Sequence, residues 1–71
     1  MVENYWRKGL HEAEGLYKLG FIYDGKDELG CLMFKHPEGG NRGYCGLDSQ
    51  FARGMLDYIE HRKLNKEIYN V

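Results

Sequence analysis

LGCLMFKHPEGGNRGYCGLD, residues Leu29–Asp48, is the stretch whose reading decides the fold. Cys31–His36 reads as a strand. Alternation places Cys31, Met33 and Lys35 on one face and Leu32, Phe34 and His36 on the other. Both faces carry apolar residues, the pattern of a central strand. Pro37 cannot donate to a ladder and ends it. The reversal spans the glycine-rich Pro37–Gly43, and the returning strand takes in Tyr44–Gly46 and reaches back to Arg42. Gly43 and Gly46 make this third strand weak alone, so it is expected at a sheet edge or with a bulge.

Outward from the hairpin, Leu47-Asp48 opens a helix. Asp48 is placed to cap free amides, and Leu47 to pack against Ala52 as a hydrophobic staple. Phe51, Met55, Tyr58, Ile59 and Arg62 then mark one face at helical spacing, with Asp57–His61 as a favourable pair four residues apart. His61, Arg62 and Lys63 complement the dipole near the helix end. The tail Leu64–Val71 contains no breaker and is compatible with more helix or with an extended segment. On the other side of the hairpin, Trp6, Leu10, Ala13 and Tyr17, with Leu16 beside them, predict a helix over Glu3–Leu19. Glu3–Arg7 and Lys8–Glu12 support its outer side. Gly9 borders the apolar face and admits another element closely, and Gly20 supplies a left-handed C-terminal cap. Phe21–Tyr23 reads as a short strand, Asp24-Gly25 as a turn and Lys26–Gly30 as the rest of the connection. The expected class is α+β: helix, three-stranded antiparallel sheet, helix (αβββα), with both helices on one face of the sheet and residues 1–71 as a single domain.

Composition narrows the function classes. A chain of 71 residues is near the lower size limit for folding without staples and buries only about 60% of its unfolded surface. One tryptophan, six tyrosines and three phenylalanines exceed what so small a core hides, so some tyrosines are expected at the surface, where amphipathic rings suit partner contact. Net charge is −1, which gives no global field for nucleic acid or anionic membrane. Met1–Glu14 is charged throughout, unlike a secretory signal, and Cys31–Phe34 is the longest uninterrupted apolar run, far short of a membrane span. A soluble cytoplasmic protein is the expectation. Cys31 and Cys45 are then expected as reduced thiols. A turn at Pro37–Asn41 would also set Cys45 opposite Met33, with Cys31 only diagonal to it.

Cys31, His36 and Cys45 are zinc-type donors, but their spacing matches no compact knuckle, and a fourth ligand would have to come from His11 or His61. No metal and no cofactor are expected. Gly39-Gly40-Asn41-Arg42-Gly43 offers bare amides for a phosphate, yet it leads into a strand and not a helix, so the dipole is missing. Gly40–Gly43 also spells the G-x-x-G of KH domains, a loop that there joins two helices. His36 with Asp48, or His61 with Glu60 and Asp57, make acid–base pairs only on paper. Neither Cys31, Cys45 nor Ser49 is fixed beside a base and an orienting group, so no catalytic residues are expected.

Leu19-Gly20-Phe21 followed by Phe34-Lys35-His36-Pro37-Glu38-Gly39 resembles the "GF … HP-x-G" pattern of HicA-type toxins. That likeness covers about a third of the chain and implies a double-stranded-RNA-binding-like fold. The family's catalytic histidine precedes the HP turn, where this chain has Gly30, Cys31 and Leu32, so the departure removes the residue that cleavage needs. The leading expectation is a small non-catalytic protein-binding protein, an accessory, inhibitor or modulator in the style of phage and mobile-element proteins. Its expected partner surface is Arg42, Tyr44, Glu38, Asn41, Tyr58 and Tyr69, and a homodimer through the same aromatics is the self-association variant. The alternative is a nucleic-acid-binding module using Arg42, Arg53, Arg62, Lys63 and Lys66, or a HicA-like RNA binder without the usual histidine.

Overall fold

The computed structural model describes the backbone of residues 4–69 and the side chains of residues 4–64. The elements run α1 (Tyr5–Lys18), β1 (Ile22–Lys26), β2 (Leu32–Lys35), β3 (Asn41–Tyr44) and α2 (Ser49–Tyr69). The sheet is antiparallel in the order β1-β2-β3, so β2 is central and β3 is an edge. This is the αβββα arrangement expected from the hydrophobic pattern, with the helices packed on the sheet. Among the described residues no helix is long and apolar enough to cross a membrane.

Local chemistry sets the helix ends. Asn4 caps α1, its side-chain oxygen accepting from the Arg7 amide at 3.0 Å. At the other end Gly20 sits at φ +97°. The Gly20 amide donates to the Tyr17 carbonyl and the Phe21 amide to the Leu16 carbonyl, which is the paired bonding of a Schellman cap. Asp48 caps α2 by accepting from the Gln50 amide at 2.9 Å.

The core is built from Ala13 and Leu16 of α1, Leu32 and Phe34 of β2, and Met55 and Ile59 of α2. Phe34 is fully buried at its centre. The rings of Tyr17, Tyr23 and Tyr44 surround it with centroids 6.5, 5.4 and 5.8 Å away, distances at which edge-on and tilted ring contacts are favourable. Four tyrosines, Tyr17, Tyr23, Tyr44 and Tyr58, are thus half-buried wall residues of the core, and Tyr5 is the exposed one among those described.

Helix-on-helix packing is closer than side chains alone would allow. Gly9 of α1 lies against the Phe51 carbonyl of α2, and Gly54 of α2 lies against the Trp6 carbonyl and the Leu10 amide of α1. The buried centre of α1 is therefore Gly9, Ala13 and Leu16, with Trp6, Leu10 and Tyr17 on its flanks. The close approach expected at Gly9 is present, and Gly54 is its unforeseen counterpart.

Three local expectations are corrected. Asp24-Gly25 is not the turn; it lies inside β1, where the register slips by one residue between Tyr23 and Lys26. Gly25 at φ +92° absorbs the extra residue as a bulge. The reversal comes at residues 27–30, where Asp27 accepts from the Leu29 and Cys31 amides at 2.9 and 2.8 Å. An aspartate that satisfies two amides holds a turn more firmly than a glycine that only permits one. The β2–β3 loop is residues 36–40, because Lys35 pairs with Asn41 and Met33 with Gly43. That register places Cys31 opposite Cys45, and the two are joined by a disulfide with Cα atoms 4.4 Å apart. The reduced, diagonal thiols expected from the sequence are replaced by a bridge that ties the edge strand to the central one.

Candidate functional site

The β3 edge follows from strand alternation. In antiparallel pairs, hydrogen-bonded and non-hydrogen-bonded positions alternate, and the latter bring Cα atoms to about 4.5 Å. The 4.4 Å Cys31–Cys45 separation is of that kind. The His36 amide, five positions along β2, donates to the Gly40 carbonyl, as the alternation requires. Phe34 and Leu32 therefore bond to Arg42 and Tyr44, and the backbone groups of Asn41, Gly43 and Cys45 point outward from the sheet. The strand carries no bulge and no proline, unlike the β1 edge, which the Asp24-Gly25 bulge interrupts.

The side chains of the strand lean away from this edge. Arg42 places its guanidinium 4.9 Å from the centre of the Phe21 ring. The Tyr44 hydroxyl donates to Glu12 of α1 at 2.6 Å. Burial and the bond to Glu12 raise the Tyr44 pKa above the ordinary phenol value, with Arg42 opposing them. Asn41 and Glu38 are exposed beside the strand and in the loop before it. The structure thus sets Arg42, Tyr44 and Asn41 along one edge strand, with Glu38 in the loop before it; Arg42 and Tyr44 share the face of Phe34 and Leu32, and Asn41 is on the other. Tyr58 lies elsewhere, 5.9 Å from Tyr17 and beneath Arg62. The side chain of Tyr69 is outside the described residues.

The basic set does not share one surface. Arg53 pairs with Asp57 at 3.1 Å, and nine residues of helix place it about 180° around α2 from Arg62. Arg62 lies 4.5 Å over the Tyr17 ring. Arg62 and Lys63, both of α2, line an open cleft together with Phe21, the ring on which Arg42 of β3 stacks. The side chain of Lys66 is outside the described residues.

Groups read as chemical candidates are committed elsewhere. Cys31 and Cys45 are consumed by their bridge. The His36 Nδ1 accepts from the Glu38 amide at 3.1 Å, so Nε2 carries the proton donated to the Leu19 carbonyl at 2.9 Å. Nε2 thus fastens the hairpin to the end of α1 while Nδ1 holds the hairpin's own loop, and the ring also packs 5.1 Å from Phe21. The two halves of the HicA-like pattern, Gly20-Phe21 and His36-Pro37, are neighbours in space for that reason. Among the described residues no three His, Cys, Asp or Glu side chains gather to hold a metal.

Sequence reading missed Glu12, Phe21 and Asp57 as partners of these residues. Glu12 was assigned outward to Lys8, and Asp57, read as a partner of His61, also accepts from the Trp6 indole at 2.8 Å. Only the crossing of elements brings such pairs together, so no periodicity announces them. No family model, curated protein or solved structure matches this chain.

Proposed function

We propose that this chain is a small non-catalytic protein-binding module of the accessory or modulating type, acting in the cytoplasm, that receives an extended segment of its partner along β3. The supporting observation is the edge itself: outward amides and carbonyls at Asn41, Gly43 and Cys45 on a strand with no bulge or proline, next to which no further strand pairs among the described residues. Added strands gain affinity from main-chain bonds and specificity from flanking side chains, which here are Arg42, Tyr44, Asn41 and Glu38. The cytoplasmic placement carries its own demand, since cellular thiol systems keep exposed cysteine pairs reduced there. Cys31 is buried at 4% exposure, which shields its side of the bridge.

Affinity capture with the full chain in nuclease-treated lysate, compared with a Gly43→Pro variant, tests the proposal. Proline at an outward-facing amide spares the inner ladder and removes one bond to an added strand. Capture of one stoichiometric partner that Gly43→Pro and Tyr44→Ala each abolish, with little response to salt, is the expected result. Equal capture by Gly43→Pro would show that the edge is not the binding surface.

A further inference from the structure

A second site lies at the opposite end of the helices from their glycine contacts. Tyr17 of α1, the cap residue Gly20, Phe21, Ile22 and Tyr23 leading into β1, and Ile59, Arg62 and Lys63 of α2 wall an open cleft of about 650 Å³. That is within the roughly 300–1,000 Å³ of small-molecule sites. The fold creates it for a local reason. The left-handed turn at Gly20 swings the chain off the end of α1, and a Cβ there would come within 2.8 Å of the His36 ring.

Two properties of the lining define the occupant. The walls are aromatic and aliphatic: Tyr17, Phe21 and Tyr23 with Ile22 and Ile59. Among the described residues the only ionised side chains on them are cations, Arg62 and Lys63, and none of those residues brings a carboxylate to the cleft, although the chain as a whole is net negative. Arg62 is held in place by its stacking on Tyr17 and by one bond from its Nη1 to the Tyr58 hydroxyl at 3.4 Å. Ring faces consume none of its five donors, so the fork keeps the geometry that receives phosphate oxygens.

We propose that this cleft binds a nucleoside 5′-phosphate, the base lying against Phe21 and Tyr23 and the phosphate meeting Arg62 and Lys63. Base stacking on aromatic side chains combined with backbone cations is how unpaired nucleotides are held without sequence readout. The same chemistry is offered by a free mononucleotide and by one residue of a single strand. This site touches the β3 surface only where Arg42 stacks on Phe21; it uses none of the outward backbone groups of that edge, so either site can fail without the other.

The test is an amide-resolved NMR titration of the full chain with AMP, adenosine, inorganic phosphate and a short oligoadenylate. AMP is expected to give saturable shifts confined to Phe21, Ile22, Tyr23 and Arg62 and their neighbours. It should bind at least about ten-fold more tightly than adenosine or phosphate alone, a margin set by adding a charge-assisted contact to a stacking one. Affinity should fall with added salt. The oligoadenylate binding about ten-fold more tightly than AMP identifies a strand as the source, and equal affinities identify the free nucleotide. Arg62→Gln with Lys63→Gln should remove the AMP shifts, and Lys63→Gln alone, at an exposed position, should weaken them without altering the melting curve. Absence of saturable shifts at about 5 mM AMP, shifts centred on β3, or an unchanged response in the double variant overturns the proposal.

Discussion

Replacing Gly54 with alanine should unfold this protein at a markedly lower temperature, although alanine is the better helix former. A Cβ on Gly54 would stand 2.9 Å from both the Leu10 amide nitrogen and the Trp6 carbonyl carbon, and closer still to the Trp6 oxygen, where ordinary contact begins at 3.4 Å. These are backbone atoms of a packed helix and have no rotamer through which to retreat, so α1 and α2 must separate. Overpacking of this kind costs about 1–3 kcal/mol, and a clash with backbone belongs at the upper end. The helix propensity gained returns about 1 kcal/mol, leaving a net loss of about 2 kcal/mol. Gly15 provides the internal control: it is a helical glycine too, in α1, but a Cβ there meets nothing within 4 Å. Gly15→Ala should therefore gain about 0.5–1 kcal/mol. For a domain of this size, about 4–8 °C per kcal/mol sets the two variants roughly 10–24 °C apart in thermal unfolding followed by circular dichroism. Gly9→Ala, which meets the Phe51 backbone, should resemble Gly54→Ala. The pair together should cost less than the sum, because helices already parted have relieved both clashes. A Gly54→Ala protein that melts at or above the wild-type temperature would refute the close-contact reasoning.

Reduction, or Cys31→Ala with Cys45→Ala, should lower stability by about 3 kcal/mol on the chain-entropy scale for a loop of this length, read as a shift in the urea midpoint; identical midpoints would mean the bridge does not constrain the chain. Tyr23 and Tyr44 both have pKa values raised above 10.0, chiefly by burial. Because the raised value belongs to the folded state, their stabilisation is complete below about pH 10 and is lost as the pH climbs through the folded-state values. Stability measured from pH 8 upward should hold until about pH 10 and then decline, and Tyr44→Phe should flatten that decline. Asp27→Ala removes the acceptor of two amides in the β1–β2 turn and should cost about 1–3 kcal/mol, with amide exchange at Cys31 rising first. Asp57→Ala frees the Trp6 indole, so acrylamide should quench the single tryptophan's fluorescence more strongly than in the wild type.

Which face of β2 is buried was not legible in the amino-acid sequence; the order of elements, the central place of β2, the caps at Gly20 and Asp48 and the weakness of β3, expected at an edge or with a bulge, were. Each depends on residues within a turn or a few positions of one another, where periodicity, capping and the missing proline amide act directly. The Cys31–Cys45 bridge was not legible, because it depends on a register that residues 36–40 fix through the hairpin's bonding, and a slip of one step changes which side chains face each other. The bulge at Asp24-Gly25 escaped for a related reason: a glycine that allows a left-handed residue does not say whether the chain turns there or only absorbs an extra one. Nor could sequence spacing disclose Gly54 against Trp6, Tyr44 against Glu12, Arg42 over Phe21 or Arg62 over Tyr17. Local pattern tells each segment what to become, but it carries no distance between segments. Those meetings were decided only when two helices settled on the sheet at a separation that their glycines allowed.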